Sequence, residues 1–228
     1  MSNVKEEIKI GKNKLYNSDC ITIMKEKVSK GEKYDIVLTD PPYGIDLTPQ
    51  RNTSKFKNTK VLNDNTTDTI SKFLPLSAQL SDTIYMFCSW KNYAEIQPIF
   101  EKSYKLINLL VWDKMWLGMG GNWRPNHEFI LYGVKKGSGS FSACNKENIL
   151  RHKRVAPVKL THSCEKPTDL LKEILEQYDY ESVLDPFMGT GATGEAAISL
   201  NYRFTGIELD SKYFKVAKNR IEAARNAK

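Results

Sequence analysis

Short apolar runs alternate with segments of helical spacing along the whole chain, which predicts strands and helices in turn. The apolar runs predict a hairpin over 8–16 and strands at 34–39, 83–88, 105–112, 128–134, 183–185 and 202–210. The helical spacing predicts helices near 20–28, 69–80, 93–102, 168–178 (with Thr168 as its N-cap), 192–200 and 211–224. No internal repeat interrupts this order. Alternating units of this kind predict an α/β fold, in which a mostly parallel, twisted sheet carries helices on both faces.

Two long stretches break the pattern. Residues 44–67 are polar, basic and without clear periodicity, which predicts a mobile or substrate-ordered loop. Residues 137–161 begin with Gly-Ser-Gly-Ser and show neither a helix nor a strand pattern. The 228 residues have the length of one domain, so we expect a single domain over 1–228.

The tetrapeptide Asp40-Pro41-Pro42-Tyr43 ends the first apolar run and has the parts to hold a planar amino group. The Asp40 carboxylate and the Pro41 carbonyl can each accept a hydrogen bond from an exocyclic –NH2. Both prolines fix φ and lack a backbone donor, so the carbonyls keep their direction. The Tyr43 ring offers a face on which a base can stack. A strand followed by a proline-rich turn explains the same residues, so this motif alone does not decide.

A second motif, residues 183–194, predicts a strand, a glycine-containing turn and a helix. Gly189 and Gly191 let the backbone approach a ligand closely, and the following helix offers free N–H groups. The next strand ends at Glu208, where a carboxylate can accept hydrogen bonds from ribose hydroxyls. Turn, helix, strand and acid in this order predict a site for a nucleotide-like cofactor.

Together the two motifs resemble those of the amino-group DNA methyltransferases that use S-adenosylmethionine. In that family a D/N/S-P-P-Y/F/W motif holds the target amino group, and a D-P-F-x-G-x-G motif binds the cofactor. The catalytic motif comes first here, as in the permuted β group. Three more segments are similar to family motifs: 17–20 to N/G-D-C, 162–168 to H-x-x-x-K-P, and 124–132 to the strand after the catalytic half. The resemblance covers nearly the whole chain.

The resemblance implies a Rossmann-like, circularly permuted class I methyltransferase fold and a DNA methyltransferase that flips its target base out of the duplex. The implied cofactor is S-adenosylmethionine. Catalysis is assigned to Asp40, Pro41, Pro42 and Tyr43. The cofactor pocket is assigned to Asp19, Cys20, Lys166, Asp185, Phe187, Gly189, Gly191 and Glu208. Within it, Glu208 would hold the ribose hydroxyls and Lys166 the methionine carboxylate.

Several of these residues also have purely structural explanations, which stay open. Helix capping explains Asp19 and, better than a ligand role, Asp210. Turn contacts explain Asp185. Core packing explains Phe187, and an ordinary surface position explains Lys166.

The segment between the strands 105–112 and 128–134 is rich in tryptophan and glycine. Trp112, Trp116 and Trp123 can stack on bases or pack a loop, and packing is slightly favoured. The β group keeps its target recognition region where 137–161 lies, and this stretch is short. We therefore expect a short recognition site, or help from loop 44–67 or from a second subunit in a homodimer.

The chemical form of the catalytic motif predicts the base. By resemblance, D-P-P-Y goes with adenine N6 and S-P-P-Y with cytosine N4, so we expect a site-specific adenine-N6 methyltransferase, with cytosine N4 as the alternative. An amino group of RNA or protein is another candidate acceptor. A catalytically silent DNA-binding protein is the remaining alternative, against which the intact Asp40, Tyr43, Gly189 and Glu208 argue.

The net charge of +7 suits double-stranded DNA as the partner, although a solvated basic surface gives the same charge. Basic residues flank the proposed site at 51, 55, 57, 60, 135, 136, 146, 151, 153 and 154. A polar N-terminus and the absence of an apolar run of about 20 residues predict neither a signal peptide nor a membrane span. Four scattered cysteines predict free thiols and no metal site. We expect a cytoplasmic protein, bacterial or phage-encoded.

Overall fold

The computed structural model describes residues 4–42, 67–117, 122–138, 145–155 and 165–227. Within these ranges nine strands and six helices follow one another along the chain. They are β1 (Glu6–Ile10), β2 (Asn13–Asn17), α1 (Cys20–Ser29), β3 (Ile36–Thr39), α2 (Asp68–Leu80), β4 (Thr83–Cys88), α3 (Tyr93–Phe100), β5 (Tyr104–Asp113), β6 (His127–Lys135), β7 (Ile149–Arg151), α4 (Thr168–Leu175), β8 (Ser182–Asp185), α5 (Ala192–Ser199), β9 (Arg203–Glu208) and α6 (Ser211–Asn226).

All these strands belong to one sheet, in the order β1-β2-β9-β8-β3-β4-β6-β5-β7. The strands β1 and β6 run antiparallel to their neighbours, and the others share one direction. The predicted α/β fold with a mostly parallel sheet is confirmed, as is the N-terminal hairpin. No helix within the described ranges is long and apolar enough to cross a membrane.

Helices cover both faces of the sheet. Successive side chains of a strand point to opposite faces, and on β3 Ile36 and Leu38 join one core cluster while Val37 joins the other. The first cluster takes buried side chains from α4, α5 and α6, and the second takes them from α1, α2 and α3. Because the central strands are buried on both faces, their sequences are continuous apolar runs.

The strands β8 and β3 lie side by side at the point where the chain changes direction across the sheet. Ile36 pairs with Val183 and Val37 with Leu184 in parallel register. From this pair, β8 continues through α5 to β9 on one side, and β3 continues to β4 on the other. In open α/β sheets such a switch point forms a crevice beyond the carboxyl ends of the strands, where ligands bind. The catalytic and cofactor motifs both begin at these ends.

Three local expectations are wrong. The helix predicted over 168–178 ends at Leu175, and its N-cap is Pro167. Thr168 is the first helical residue, and its hydroxyl donates to Glu195 at 3.0 Å. The irregular stretch 137–161 contains β7, which pairs in parallel with β5. A three-residue edge strand in which only Leu150 is buried carries too little apolar pattern to be recognised in a sequence. Of loop 44–67, all but the last residue lies outside the described ranges.

Candidate active site

A side-chain hydrogen bond joins the carboxyl ends of β3 and β8. Thr39 donates its hydroxyl to Asp185 Oδ1 at 2.7 Å, and the Phe187 backbone N–H donates to the same oxygen at 3.0 Å. Burial raises the pKa of Asp185 to about 6, although Thr193, Thr39 and the backbone N–H favour its charged form. The turn contacts considered for Asp185 are therefore observed. They fix the start of the glycine turn directly beside Asp40.

Asp40 is paired with a buried lysine. Lys166 Nζ forms one ion pair with Asp40 Oδ2 and another with Glu128 Oε2 at 3.2 Å. Glu128 also pairs with Lys114 at 2.7 Å. The side chain of Lys166 is only 7% exposed, and its ammonium lies 5.0 Å from the centre of the Phe87 ring. The surface position considered for Lys166 is wrong, and its contact with a cofactor carboxylate stays a prediction. We call Asp40, Lys166, Glu128 and Lys114 the charge network.

The charge network keeps a carboxylate ionised in a poorly hydrated place. Burial acts to raise the pKa of Glu128, but Lys166 and Lys114 outweigh burial, so this pKa lies below its ordinary value. The pKa of the neighbouring Cys88 thiol is shifted in the opposite direction. Burial, and then the negative charges of Asp40 and Glu128, raise the pKa of its thiol to about 12. At neutral pH the thiol is therefore neutral and is no nucleophile.

The glycine turn after β8 borders open space on one side. Gly189 and Gly191 have φ angles of +52° and +84°, in the left-handed region that favours glycine. A Cβ atom at Gly189 would meet nothing within 4 Å, whereas at Gly191 it would lie 3.0 Å from the Cα of Ala217. Gly191 thus allows α5 and α6 to pack closely, and Gly189 lines a space that a ligand can enter.

Glu208, at the end of β9, lies against this turn. Its carboxylate oxygens accept hydrogen bonds from the backbone N–H groups of Gly189 at 2.9 Å and Asp210 at 2.7 Å. Burial raises the pKa of Glu208 to about 7, against the effect of these two donors. Near neutral pH its protonation therefore responds to small changes around it, such as a ligand that donates hydrogen bonds to the carboxylate.

The segment after β2 lies beside the end of β9. Asn17 Nδ2 donates to the Glu208 carbonyl at 2.8 Å. Asp19 caps α1 by accepting a hydrogen bond from the Thr22 N–H at 2.9 Å, so the capping explanation is confirmed. Cys20, the first residue of α1, is buried and free, and burial raises the pKa of its thiol. The structure thus brings Asp19 and Cys20 to the same edge of the sheet as Glu208.

Phe187 and Asp210 have the structural roles considered for them. The half-buried Phe187 ring packs edge-on against Phe73 of α2, with ring centroids 5.2 Å apart. Asp210 accepts a hydrogen bond from the Lys212 N–H at 2.7 Å and caps α6. Phe187 also lies two residues after Asp185, at the start of the glycine turn. Its contact with Phe73 therefore does not remove it from the crevice.

An arginine clamp holds the segment that carries Lys166. Arg220 of α6 pairs with Glu165 at 2.6 Å and with Glu195 at 2.5 Å, and it donates to the Thr168 hydroxyl at 3.1 Å. Since Glu165 immediately precedes Lys166, this guanidinium fixes the backbone from which Lys166 reaches Asp40.

The sequence reasoning assigns no role to Glu128 and Lys114 of the charge network, or to Arg220, Glu165 and Glu195 of the arginine clamp. Glu128 lies within 124–132, whose resemblance concerns a strand and assigns it no role. A single acidic residue at the start of a strand does not indicate a functional role in the sequence. The role of Glu128 becomes visible only because the fold places Lys166 beside it. Tyr43, His162 and the basic residues of loop 44–67 lie outside the described ranges. Within those ranges no three His, Cys, Asp or Glu residues are grouped as metal ligands.

The sequence model of a family described as DNA methylase matches residues 34–219, a span that contains both motifs. The chain is similar to the Type II methyltransferase M.HinfI of Haemophilus influenzae, at 26% identity over 96% of this chain and 70% of that protein.

Two solved structures superimpose on most of the chain. The complex of M1.HpyAVI with SAM gives a TM-score of 0.67 at 27% identity and covers 90% of this chain and 98% of that one. The PvuII DNA methyltransferase, described as cytosine-N4-specific, gives a TM-score of 0.71 at 11% identity and covers 98% and 95%. At 11% identity the second likeness concerns the fold alone.

Proposed function

Since this chain belongs to the N6/N4 family of DNA methylases, we propose that it methylates the N6 amino group of adenine in double-stranded DNA. Its methyl donor is S-adenosylmethionine, and the class I methyltransferase fold expected from the sequence is confirmed by the solved methyltransferases that superimpose on it.

The observation that carries the proposal is the position of Asp40 beside the glycine turn. Asp40 follows Thr39, whose hydroxyl binds Asp185 at the start of that turn. One crevice therefore holds both a carboxylate that can accept a hydrogen bond from an amino group and a turn that is open to a ligand. Methyl transfer needs little acid–base chemistry, and much of its acceleration comes from holding two reactants in line.

The proposed task of Asp40 is to accept a hydrogen bond from the target amino group. Its ion pair with Lys166 favours the ionised carboxylate, which is a pure acceptor. The Pro41 carbonyl accepts the second N–H, and Pro42 keeps the turn stiff. Two such bonds draw the nitrogen toward tetrahedral geometry and free its lone pair. Tyr43 stacks on the extruded base.

The residues around the glycine turn fit the cofactor. When bound, the cofactor supplies an electrophilic methyl group on a sulfonium. Gly189 leaves the space for close approach, and the Glu208 carboxylate accepts hydrogen bonds from ribose hydroxyls. The rest of the proposed pocket consists of Asp19, Cys20, Lys166, Asp185, Phe187 and Gly191. For Lys166 to bind the methionine carboxylate, it must share its charge with Asp40 and Glu128 or leave them.

The first residue of the catalytic motif supports adenine. An aspartate there is the form that resembles the adenine-N6 enzymes, whereas a serine resembles the cytosine-N4 enzymes. The solved cytosine-N4 enzyme at 11% identity gives no argument for cytosine, because such a likeness concerns only the fold.

The test is methylation of unmethylated duplex DNA with tritiated S-adenosylmethionine, followed by nucleoside analysis. Label in N6-methyldeoxyadenosine supports the proposal, and the Asp40→Ala variant should abolish it while still binding the cofactor. Label in N4-methyldeoxycytidine would keep the mechanism and overturn the base. No label in DNA, with cofactor bound, would direct the search to RNA or protein acceptors.

A further inference from the structure

Several large apolar side chains are exposed in the loops at the carboxyl edge of the sheet. In the described ranges five such residues lie in loops at this edge: Trp90 (49% exposed), Met115 (51%), Trp116 (54%), Leu117 (69%) and Trp123 (98%). The packing favoured for the three tryptophans of this region holds for Trp112, which is buried, and is wrong for Trp116 and Trp123. Exposed apolar groups concentrated in one place indicate a binding surface.

The chain builds a support for these residues. The Lys114 N–H donates to the Asn126 carbonyl at 2.8 Å, and Asp113 Oδ1 accepts from the Met115 N–H at 2.9 Å, which closes the base of the β5–β6 connection. Buried Trp112 donates its indole N–H to the His152 carbonyl at 2.8 Å. The segment that follows β7 is thereby tied to the same base.

A cation from that segment stacks on an exposed indole. The Arg154 guanidinium carbon lies 4.7 Å from the centre of the Trp116 ring. Such stacking presents a flat aromatic face and a positive charge together, which is the combination that binds nucleic acid bases and phosphates. Segments 114–126 and 152–154 carry four Lys and Arg residues and no Asp or Glu.

The charge network connects this surface to the proposed active site. Lys114, the first residue of the β5–β6 connection, pairs with Glu128, which pairs with Lys166, the partner of Asp40. A molecule bound to the exposed tryptophans therefore lies next to the crevice that holds the target amino group.

We propose that Trp116, Trp123, Arg124, Lys153 and Arg154 form a DNA-binding surface, which we call the tryptophan edge. It rests on the proposed function, because duplex DNA is the substrate that must reach Asp40. Trp116 and Trp123 stack on bases next to the extruded nucleotide, where unstacking leaves base faces uncovered. Arg124, Lys153 and Arg154 contact phosphates. A second copy of this chain suits the surface poorly, because a twofold interface would bring like charges together.

The experiment measures duplex binding, oligomeric state and cofactor binding for Trp123→Ala, Trp116→Ala and Arg154→Ala. The matched control is Ile107→Ala. Ile107 is 47% exposed, but it lies in the half of β5 away from the carboxyl edge. Fluorescence anisotropy of a labelled unmethylated duplex over a salt series gives affinity and its salt dependence. Analytical ultracentrifugation gives the oligomeric state, and calorimetry with S-adenosylmethionine verifies folding.

Each tryptophan variant should bind the duplex about 10-fold more weakly, as expected for the loss of one stacked base. Arg154→Ala should also lower the slope of log K against log salt by about 1. Ile107→Ala, cofactor affinity and oligomeric state should match the wild type. Wild-type affinity in the tryptophan variants would overturn the tryptophan edge, and so would a dimer that these variants dissociate.

Failure of the proposed function is a separate result. If the wild type methylates no DNA, the proposed function fails, while the binding measurements still test the tryptophan edge. If the wild type methylates DNA and the variants do so at wild-type rates with unchanged affinity, only the tryptophan edge fails.

Discussion

Lys166 is the shared counter-ion of Asp40 and Glu128, two carboxylates that lie far apart in the sequence and meet at one ammonium group. The lysine is buried against the Phe87 ring. If its ammonium were removed, bulk water could not fully compensate the charge of either carboxylate. A buried ion pair that loses one partner leaves an uncompensated charge, which is strongly unfavourable. The compensation of the negative charge on Asp40 therefore depends on Lys166.

The Lys166→Gln variant should shift the pH dependence of methylation. Without the shared cation, the two carboxylates repel each other and the pKa of one rises. If Asp40 must be ionised, the acidic limb of the pH–rate profile should move to higher pH. The measurement is kcat at saturating cofactor between pH 5 and 9, with Lys166→Arg as the charge-preserving control. Superimposable profiles for Lys166→Gln and the wild type would contradict this dependence.

Thr39→Val should destabilise the protein, because it removes the hydroxyl that donates to buried Asp185. We expect a loss of about 1–3 kcal/mol in the free energy of unfolding, measured by urea denaturation at pH 8. Thr39→Ser keeps the donor and should lose less. The pKa of Asp185 is raised to about 6, so the carboxyl is charged above this pH and neutral below it. The cost should therefore shrink at pH 5, and an equal cost at both pH values would argue against it.

Alanine at the two glycines of the turn should have different effects. Gly191→Ala combines a left-handed φ with a 3.0 Å approach to Ala217, so it should lower thermal stability markedly. Gly189→Ala has only the φ penalty, about 1–2 kcal/mol, but places a methyl group in the space proposed for the cofactor. Gly189→Ala should therefore strongly reduce the affinity for the cofactor but lower thermal stability only slightly. Thermal unfolding and calorimetry compare the two variants, and unchanged cofactor affinity in Gly189→Ala would place the ligand elsewhere.

Cofactor affinity should rise with pH through about 7. Glu208 has its pKa raised to about 7 by burial, and only the ionised carboxylate accepts hydrogen bonds from both ribose hydroxyls. Below this pH the charged fraction of the cofactor-free protein falls toward tenfold per unit, and affinity should fall with it. Calorimetric titrations from pH 6 to 8 measure the effect.

The Glu208→Gln variant is the control for that pH series. The amino group of the cofactor itself titrates at about 7.7–8.0, and the variant experiences this equally. The pH dependence that comes from Glu208 is the difference between the two proteins. Parallel curves would show that Glu208 is not the titrating group.

The parts of the fold that sequence reasoning predicts are those with a local signal. The strand β3 and the glycine turn are continuous patterns within a few residues, and Asp210 caps α6 as its position next to the helix predicts. The edge strand β7 is too short for such a pattern. Pro167 rather than Thr168 is the N-cap of α4, and the Thr168 hydroxyl instead bonds to Glu195 and Arg220 of neighbouring helices.

The candidate site divides in the same way. The motifs give the positions of Asp40, Gly189 and Glu208, which follow strands that the sequence marks clearly. The pairing of Lys166 with Glu128 depends on two residues 38 positions apart (166 − 128), brought together by the sheet. The exposure of Trp123 is equally non-local, since a tryptophan is more often buried, and only the packed structure reveals that its side chain is 98% exposed.

The order of strands in the sheet also bears on how the protein is made. On the ribosome β2 and β3 emerge before β8 and β9, yet β9 and β8 separate them in the finished sheet. Until residues 182–208 have been synthesised, β2 and the apolar strand β3 each keep one edge without its final neighbour. Synthesis at about 5–20 residues per second leaves these edges open for many seconds. We expect slow folding that ends only with the last strands, and a nascent chain that depends on chaperones to keep those edges from pairing with other chains.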